Sequence, residues 1–349
     1  MDEIKKEKLE MNSYQEDIQT ALHTFPLPVE QLSGKRILVL GATGLIGGCL
    51  VGLLLSCGAE DCHVYAAGRN KQRADRRFAA FSQSPSYHFL RFDVTEPLEC
   101  DIPFDYIVDA AGGASPQLYT SDPVGVMKSN IWGVDHLLSY GVNHGLQKFV
   151  YVSSGEVYGE GDGHPFVETD SGYINPLTVR ACYPSAKRAT ETLCVCYSCQ
   201  YGIDVSIARP CHVYGPYFTE SDNRVYAQFV RNVLRGEDIV LKSKGEAYRS
   251  WIYVVDCAMA LLHILLLGEN GAAYNIANEE SNVSIRTLAE LTAELSGRQV
   301  VFEIPDDATC GNTTPITKAV FSTSRLESLG WRPLTPLREG LAHTLDSLR

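Results

Sequence analysis

Tyr183 and Lys187 stand four residues apart, in Tyr183-Pro184-Ser185-Ala186-Lys187. That spacing is about one helical turn, so both side chains leave the same helix face. An ammonium beside a phenol favours the phenolate and is expected to lower the tyrosine's pKa. Such a tyrosine can take the proton of a sugar or alcohol hydroxyl. A hydroxyl that loses its proton can give up a hydride to an acceptor lying beside it. Upstream of the pair stands a Ser-rich strand end, Ser153-Ser154-Gly155-Glu156.

The N-terminal half supplies a place for the acceptor. Gly41-Ala42-Thr43-Gly44-Leu45-Ile46-Gly47 is a GxxGxxG loop between a short apolar run and an apolar helix. Glycines there let the backbone approach a pyrophosphate, whose charge meets the helix N-terminus. Thr43, Leu45 and Ile46 belong to the same cofactor loop. A dinucleotide site commonly carries Asp or Glu at the end of its second strand, for the ribose 2′-hydroxyl. This chain has Gly68-Arg69-Asn70. A missing acid and a nearby guanidinium admit a 2′-phosphate, while Asn70 suits a free ribose. NAD is the expected cofactor, with NADP admitted. Asp93-Val94 is placed at the adenine edge, and Ala110-Ala111-Gly112 offers a surface small enough for a cofactor to lie against.

Alternating elements must position these residues. Strands are read at 36–40, 63–67, 88–92, 106–109, 148–153 and 204–208, with helices near 124–143 and 183–201 between them. The alternation predicts an α/β fold of Rossmann type, a doubly wound parallel sheet with a smaller C-terminal substrate-binding lobe. Residues 1–33 read as an N-terminal helical extension and linker, 34–209 as the dinucleotide-binding domain, and 210–349 mainly as the substrate lobe. A helix within about 250–268 is expected to return to the first domain. Val126, Ile131, Val134, Leu137 and Leu138 fit a buried helix.

The 349 residues carry a net charge of −12, which argues against a nucleic-acid partner. The apolar stretch 45–59 is too short and Gly-rich to span a membrane, and a soluble, cytoplasmic protein is expected. Eleven cysteines include Cys194, Cys196 and Cys199, but no second CxxC or His pair completes a zinc site. They are read as small packing residues on a buried helix, and no metal is expected.

With the glycine loop, Asn130 and the Ser-Tyr-Lys set in order, residues 35–345 resemble the extended short-chain dehydrogenase/reductases of the NAD-dependent epimerase/dehydratase type. Within them the chain is most similar to the UDP-glucuronate decarboxylases. The stretches that carry this are Ala114-Ser115-Pro116 with Tyr119, Ser154-Gly155-Glu156-Val157-Tyr158-Gly159, Ile174-Asn175-Pro176 with Arg180-Ala181-Cys182-Tyr183, Asn223-Arg224-Val225 with Phe229, and Arg249-Ser250-Trp251-Ile252-Tyr253. The resemblance implies that Ser154 bonds the sugar 4-hydroxyl, that Tyr183 is the base, and that Lys187 binds the nicotinamide ribose and tunes Tyr183. It implies cofactor contacts for Asn130 and Pro210, and substrate contacts for Ser115, Tyr119, Glu156, His212, Arg224, Val225 and Arg249. It also implies a homodimer through the helices near 124–143 and 183–201.

All these enzymes oxidise the sugar at C4, then diverge. A 4,6-dehydratase uses an Asp–Glu pair after its catalytic Ser or Thr, and the Asp position here is Gly155. A 4-epimerase has no need of Glu156. A decarboxylase suits it: a 4-keto uronate is a β-keto acid, and Glu156 would order a water or relay a proton. Decarboxylation of UDP-glucuronate or a related uronate therefore ranks first. A 4-epimerase, a 4,6-dehydratase, a reductase exchanging free cofactor and a non-catalytic dinucleotide sensor are the alternatives. Three departures from the family pattern stand out: Cys211-His212 in place of Phe-Asn, Lys242-Ser243 where an aromatic often meets the base, and Pro184-Ser185-Ala186 in place of Asp-Glu-Gly.

Overall fold

The computed structural model describes residues 12–304 and 317–349. The first element is α1 (Ser13–Thr24). It opens with a reciprocal cap in which the Asn12 side chain accepts from the Gln15 amide and the Gln15 side chain accepts from the Asn12 amide. Its apolar stripe of Tyr14, Ile18 and Ala21 is buried against the body of the protein.

Strand and helix then alternate through β1 (Arg36–Leu40), α2 (Leu45–Ser56), β2 (His63–Gly68), α3 (Lys71–Arg77), β3 (Tyr87–Arg91), β4 (Tyr106–Asp109), α4 (Pro116–Ser121), α5 (Pro123–His144), β5 (Lys148–Val152), α6 (Cys182–Tyr201) and β6 (Asp204–Pro210). The remaining chain forms β7 (His212–Tyr214), α7 (Val225–Leu234), β8 (Ile239–Leu241), β9 (Tyr248–Tyr253), α8 (Val254–Leu267), β10 (Ala273–Ile276), β11 (Asn278–Ser284), α9 (Ile285–Glu294), β12 (Val300–Phe302), β13 (Lys318–Ala319), α10 (Ser324–Glu327) and α11 (Leu337–Asp346).

Seven strands make one parallel sheet in the order β10-β6-β5-β4-β1-β2-β3. The chain winds outward from β1 to β3, then crosses back to β4 on the other side of β1. That reversal opens a crevice at the carboxyl ends of β1 and β4, where a dinucleotide binds in such sheets. One core joins the sheet to α2 and α8, and a second joins its other face to α5 and α6. Helix α2 is apolar almost all round because α1, α8 and the sheet enclose it. Strand β10 completes the sheet beside β6, so the chain returns to the large sheet through α8 and β10 together.

The smaller layer contains β9 with β11, β13 and β7 around it, the parallel pair β8–β12, and helices α7 and α9. Helix α5 buries Val126, Val134, Leu137 and Leu138, while Ile131 is half-buried. The α6 cysteines correct one expectation: Cys194 is buried, but Cys196 and Cys199 are exposed, on the side of the helix turned away from the sheet. All ten described cysteines are free, and among the described residues no cluster suits a metal and no helix is long and apolar enough to cross a membrane.

Candidate active site

The crevice is built by glycines. Gly41 leaves β1 with φ +67°, and a Cβ there would stand 2.5 Å from the Ala110 carbonyl oxygen after β4. A Cβ on Gly47 would stand 2.5 Å from the Gly41 carbonyl oxygen, so the first turn of α2 packs directly under the loop. Thr43 lies against Gly68, and Leu45 is buried while Ile46 is half-buried. A Cβ on Gly112 would come within 3.4 Å of Asn130 Oδ1 and 3.5 Å of Lys187 Nζ. Backbone stripped of side chains, a free helix N-terminus and a lysine at the far end form a cradle that fits a nicotinamide dinucleotide.

Just beyond β3, Asp93 Oδ1 accepts from the Thr95 amide and hydroxyl, and its Oδ2 faces Arg69 Nη1 at 3.7 Å. Arg69 is thus tethered across β2 and β3. Val94 packs against Gly133 of α5. Asn70 stands just after β2, where its side-chain carbonyl accepts from the Arg73 amide and caps α3. Short polar side chains before a helix are drawn to that bond.

The centre lies where β5 meets α6. Lys187 is buried and donates to the Val152 carbonyl at 2.8 Å. Its Nζ lies 4.5 Å from the centre of the Tyr151 ring and 5.8 Å from that of Tyr183. Burial lowers its pKa to about 8, against the opposing pull of Asp109 and Glu191. Asp109, at the end of β4, is raised by burial to about 6, with Lys187 and the Ala111 amide pulling it down. Asn130 fastens this floor: Nδ2 donates to the Val126 carbonyl at 2.7 Å, Oδ1 accepts from the Tyr151 hydroxyl, and its carbonyl accepts from Thr190 of α6.

Tyr183 shares the expected helix face with Lys187, but not the expected acidity. Its phenol is pushed above the ordinary range, first by burial and then by Glu156, while Ser154, Arg224 and Arg180 pull it down. Desolvation disfavours the phenolate more than the nearby cations favour it, and Lys187 is itself weakened as a cation by burial. In the ligand-free protein Tyr183 is therefore a phenol.

Ser154 caps the turn at Gly155–Tyr158 by accepting from the Glu156 amide. A Cβ on Gly155 would run into the Phe321 ring. Both oxygens of Glu156 accept from Arg180 Nη2, at 2.9 and 2.8 Å. Tyr119 stacks on Tyr183 with centroids 4.9 Å apart. Ser115 donates to Asn223 Oδ1 at 2.8 Å, joining the loop after β4 to the start of α7.

Cations gather on the side of the smaller layer. Arg224 is chelated by Asp222, with Nη2 to Oδ2 at 2.6 Å, and precedes Val225 at the start of α7. Arg249, 4% exposed, donates to the carbonyls of Tyr248 and Thr317. His212 is exposed beside Trp251, with ring centroids 5.1 Å apart. Loss of water around the ring, with Arg249 and Arg224 adding positive charge, pulls its pKa below the ordinary histidine range. Pro210 is buried at the end of β6 and is held in register against Ile276.

Three residues here escaped the sequence reading. Arg180 was visible only as part of a motif, three residues before Tyr183. Asp109 ends a strand before a small-residue loop, and that placement is the signal that marks it. Phe321 has no local signal, since it reaches Gly155 from the far end of the chain.

The profile of the NAD dependent epimerase/dehydratase family matches residues 37–277. UDP-glucuronic acid decarboxylase 5 of Arabidopsis thaliana is 34% identical over 313 residues, 88% of each chain. UDP-glucuronic acid decarboxylase 1 of Xenopus tropicalis is 32% identical over 332 residues, 92% of this chain and 75% of its own. Among solved structures, the UDP-glucose 4-epimerase of Thermus thermophilus in complex with NAD is 25% identical, with a TM-score of 0.74 over 89% of this chain and 98% of its own. The chain belongs to the NAD dependent epimerase/dehydratase family.

Proposed function

We propose that this member of the epimerase/dehydratase family decarboxylates UDP-glucuronate, or a closely related nucleotide uronate, to a nucleotide pentose, and retains its dinucleotide through the cycle. The reading draws on the decarboxylases that match 88% of the chain at 34% identity. The observation that carries it is the wall facing Tyr183: Ser154, Glu156 clamped by Arg180, and between them a Gly155 whose side-chain space Phe321 occupies. A dehydratase needs an acid where that ring stands.

Gly41, Thr43, Gly44, Leu45, Ile46, Gly47, Asp93, Val94, Ala110, Ala111, Gly112, Asn130 and Pro210 are proposed to hold the dinucleotide, with Lys187 and Tyr183 at its nicotinamide end. When bound, the nicotinamide supplies reversible hydride acceptance at C4. Arg224 and Arg249 are proposed to meet the diphosphate or carboxylate, with His212, Val225, Ser115 and Tyr119 lining the sugar pocket. Tyr183 takes the C4 hydroxyl proton, and Ser154 holds that oxygen. Because Tyr183 is a phenol in the ligand-free protein, the positive charge that makes it a base must be completed by the bound ligands. With C4 at the ketone level, the C5–C6 bond breaks and carbon dioxide leaves. The electron pair passes to the C4 oxygen, which Ser154 and protonated Tyr183 stabilise by hydrogen bonds. A proton reaches C5 through a water ordered by Glu156, and Tyr183 returns its proton when C4 is reduced.

The cofactor is proposed as NAD, the dinucleotide named with the Thermus thermophilus relative. Arg69, with no carboxylate at the end of β2, leaves a 2′-phosphate admissible, and the mass of the dinucleotide released on denaturation decides between the two. Residues 34–209 are proposed as the cofactor domain and 210–349 mainly as the substrate lobe. A homodimer through α5 and α6 is proposed as well, on the exposed Val124, Met127 and Trp132 of α5 and Val195 of α6.

Two variants test the chemistry. Tyr183→Phe is expected to lower turnover by about 10²–10⁴-fold while the dinucleotide stays bound. Glu156→Gln is expected to keep C4 oxidation, seen as reduced-nicotinamide absorbance, and to lose carbon dioxide release. Unchanged turnover in the first, or equal loss of both steps in the second, overturns these roles.

A further inference from the structure

A single cation ties the carboxylate of this wall to its phenol. Arg180 lies in the turn before α6 and reaches both oxygens of Glu156. Its guanidinium carbon is 4.8 Å from the centre of the Tyr119 ring, and Tyr119 stacks on Tyr183 with planes 22° apart. Glu156, Arg180, Tyr119 and Tyr183 thus form one run of contacts that begins and ends on groups of the proposed reaction. The Arg180 and Glu156 side chains are 38% and 35% exposed. An ion pair so open to water is ordinarily loose. Here a ring underneath and a two-oxygen contact fix its geometry.

We propose that Arg180 is a positioning residue of this site: it clamps Glu156 through both carboxylate oxygens and, through Tyr119, braces the ring of Tyr183. The proposal rests on the roles given above to Glu156 and Tyr183. A guanidinium does not give up its proton near neutral pH, so Arg180 is neither acid nor base. Its effect is to hold Glu156 in place through both oxygens and to put a positive charge near the phenol.

The charge balance at Tyr183 makes this measurable. The groups that face it are Glu156 from the turn after β5, Ser154 at the end of β5, Tyr151 within β5, Tyr119 of α4, Arg180 before α6, Arg224 before α7, and Lys187 on its own helix. Glu156 raises its pKa, and Arg180 and Arg224 lower it. Removing Arg180 therefore raises the pH at which the phenolate forms, and removing Glu156 lowers it.

The titration needs no substrate. The Tyr183 phenolate is titrated as the ultraviolet difference between the dinucleotide-loaded protein and its Tyr183→Phe counterpart, in wild type and in Arg180→Lys, Arg180→Gln, Glu156→Gln and the Arg180→Gln/Glu156→Gln pair. Arg180→Gln is expected to move the midpoint up by on the order of one unit, Glu156→Gln to move it down, and the double variant to return towards wild type. Arg180→Lys keeps the charge and hence the midpoint, but loses the two-oxygen clamp, so carbon dioxide released per oxidised sugar falls. If the midpoint does not move in Arg180→Gln and only the melting temperature drops, Arg180 is a structural bolt and the proposal is wrong. If wild type releases no carbon dioxide from UDP-glucuronate, the reading of the reaction fails, while the titration still decides the bracing of Tyr183.

Discussion

Gly155 bears on the proposed reaction by lacking a side chain. In the family pattern an Asp at this position marks a dehydratase, and its absence was readable from sequence. The structure adds that the Phe321 ring fills the volume that a Cβ at this position would need. Gly155→Asp is therefore expected to overpack the site, costing about 1–3 kcal/mol and lowering the melting temperature, without creating a 4,6-dehydratase. Gly155→Asp with Phe321→Ala should recover the stability lost to the clash. A Gly155→Asp protein that melts like wild type would show that Phe321 yields freely. Tyr183 teaches the opposite lesson. Its spacing from Lys187 was legible, and its acidity was not, because spacing reports which groups are near and says nothing of how deeply both are buried.

The elements that carry the site owe their positions to close backbone approaches. Gly41 combines a left-handed φ with the Ala110 carbonyl at its back, so β1, α2 and the loop after β4 meet at one point. Gly41→Ala is expected to cost about 1–2 kcal/mol from the backbone alone, more from the clash, and to release the dinucleotide on gel filtration. Retention of a full complement of dinucleotide would contradict the cradle. Most of this layer was legible beforehand. The strands from β1 to β6, the glycine loop and helices α5 and α6 follow from local periodicity and turn residues, and their ends moved by only a few positions. Arg180, Phe321 and the Arg69–Asp93 tether were not legible. Each joins residues on different elements, and local pattern does not encode which loop ends meet. The cap that Asn70 forms on α3 adds a local role that the cofactor reading did not include.

At the scale of the whole molecule, the winding of the parallel sheet reverses at the crevice, where the proposed cofactor cradle lies. The smaller layer brings Arg224, Arg249 and His212 over it, and α8 with β10 ties the two layers together. The N-terminal helix belongs to this body: Asp17 pairs with His343 of α11 at 2.9 Å, and Tyr14 meets Tyr217 edge-on. A protein of net charge −12 thus keeps a local cluster of guanidinium groups where the proposed anionic substrate would sit. The central claim is a closed cycle of C4 oxidation, decarboxylation and C4 reduction within one site. Its most direct test is incubation with UDP-glucuronate labelled with ¹³C at C6, with no nicotinamide cofactor added, followed by NMR. The account predicts labelled carbon dioxide and an unlabelled UDP-pentose in equal amounts over many turnovers. Label retained in UDP-galacturonate, with no carbon dioxide formed, would contradict it.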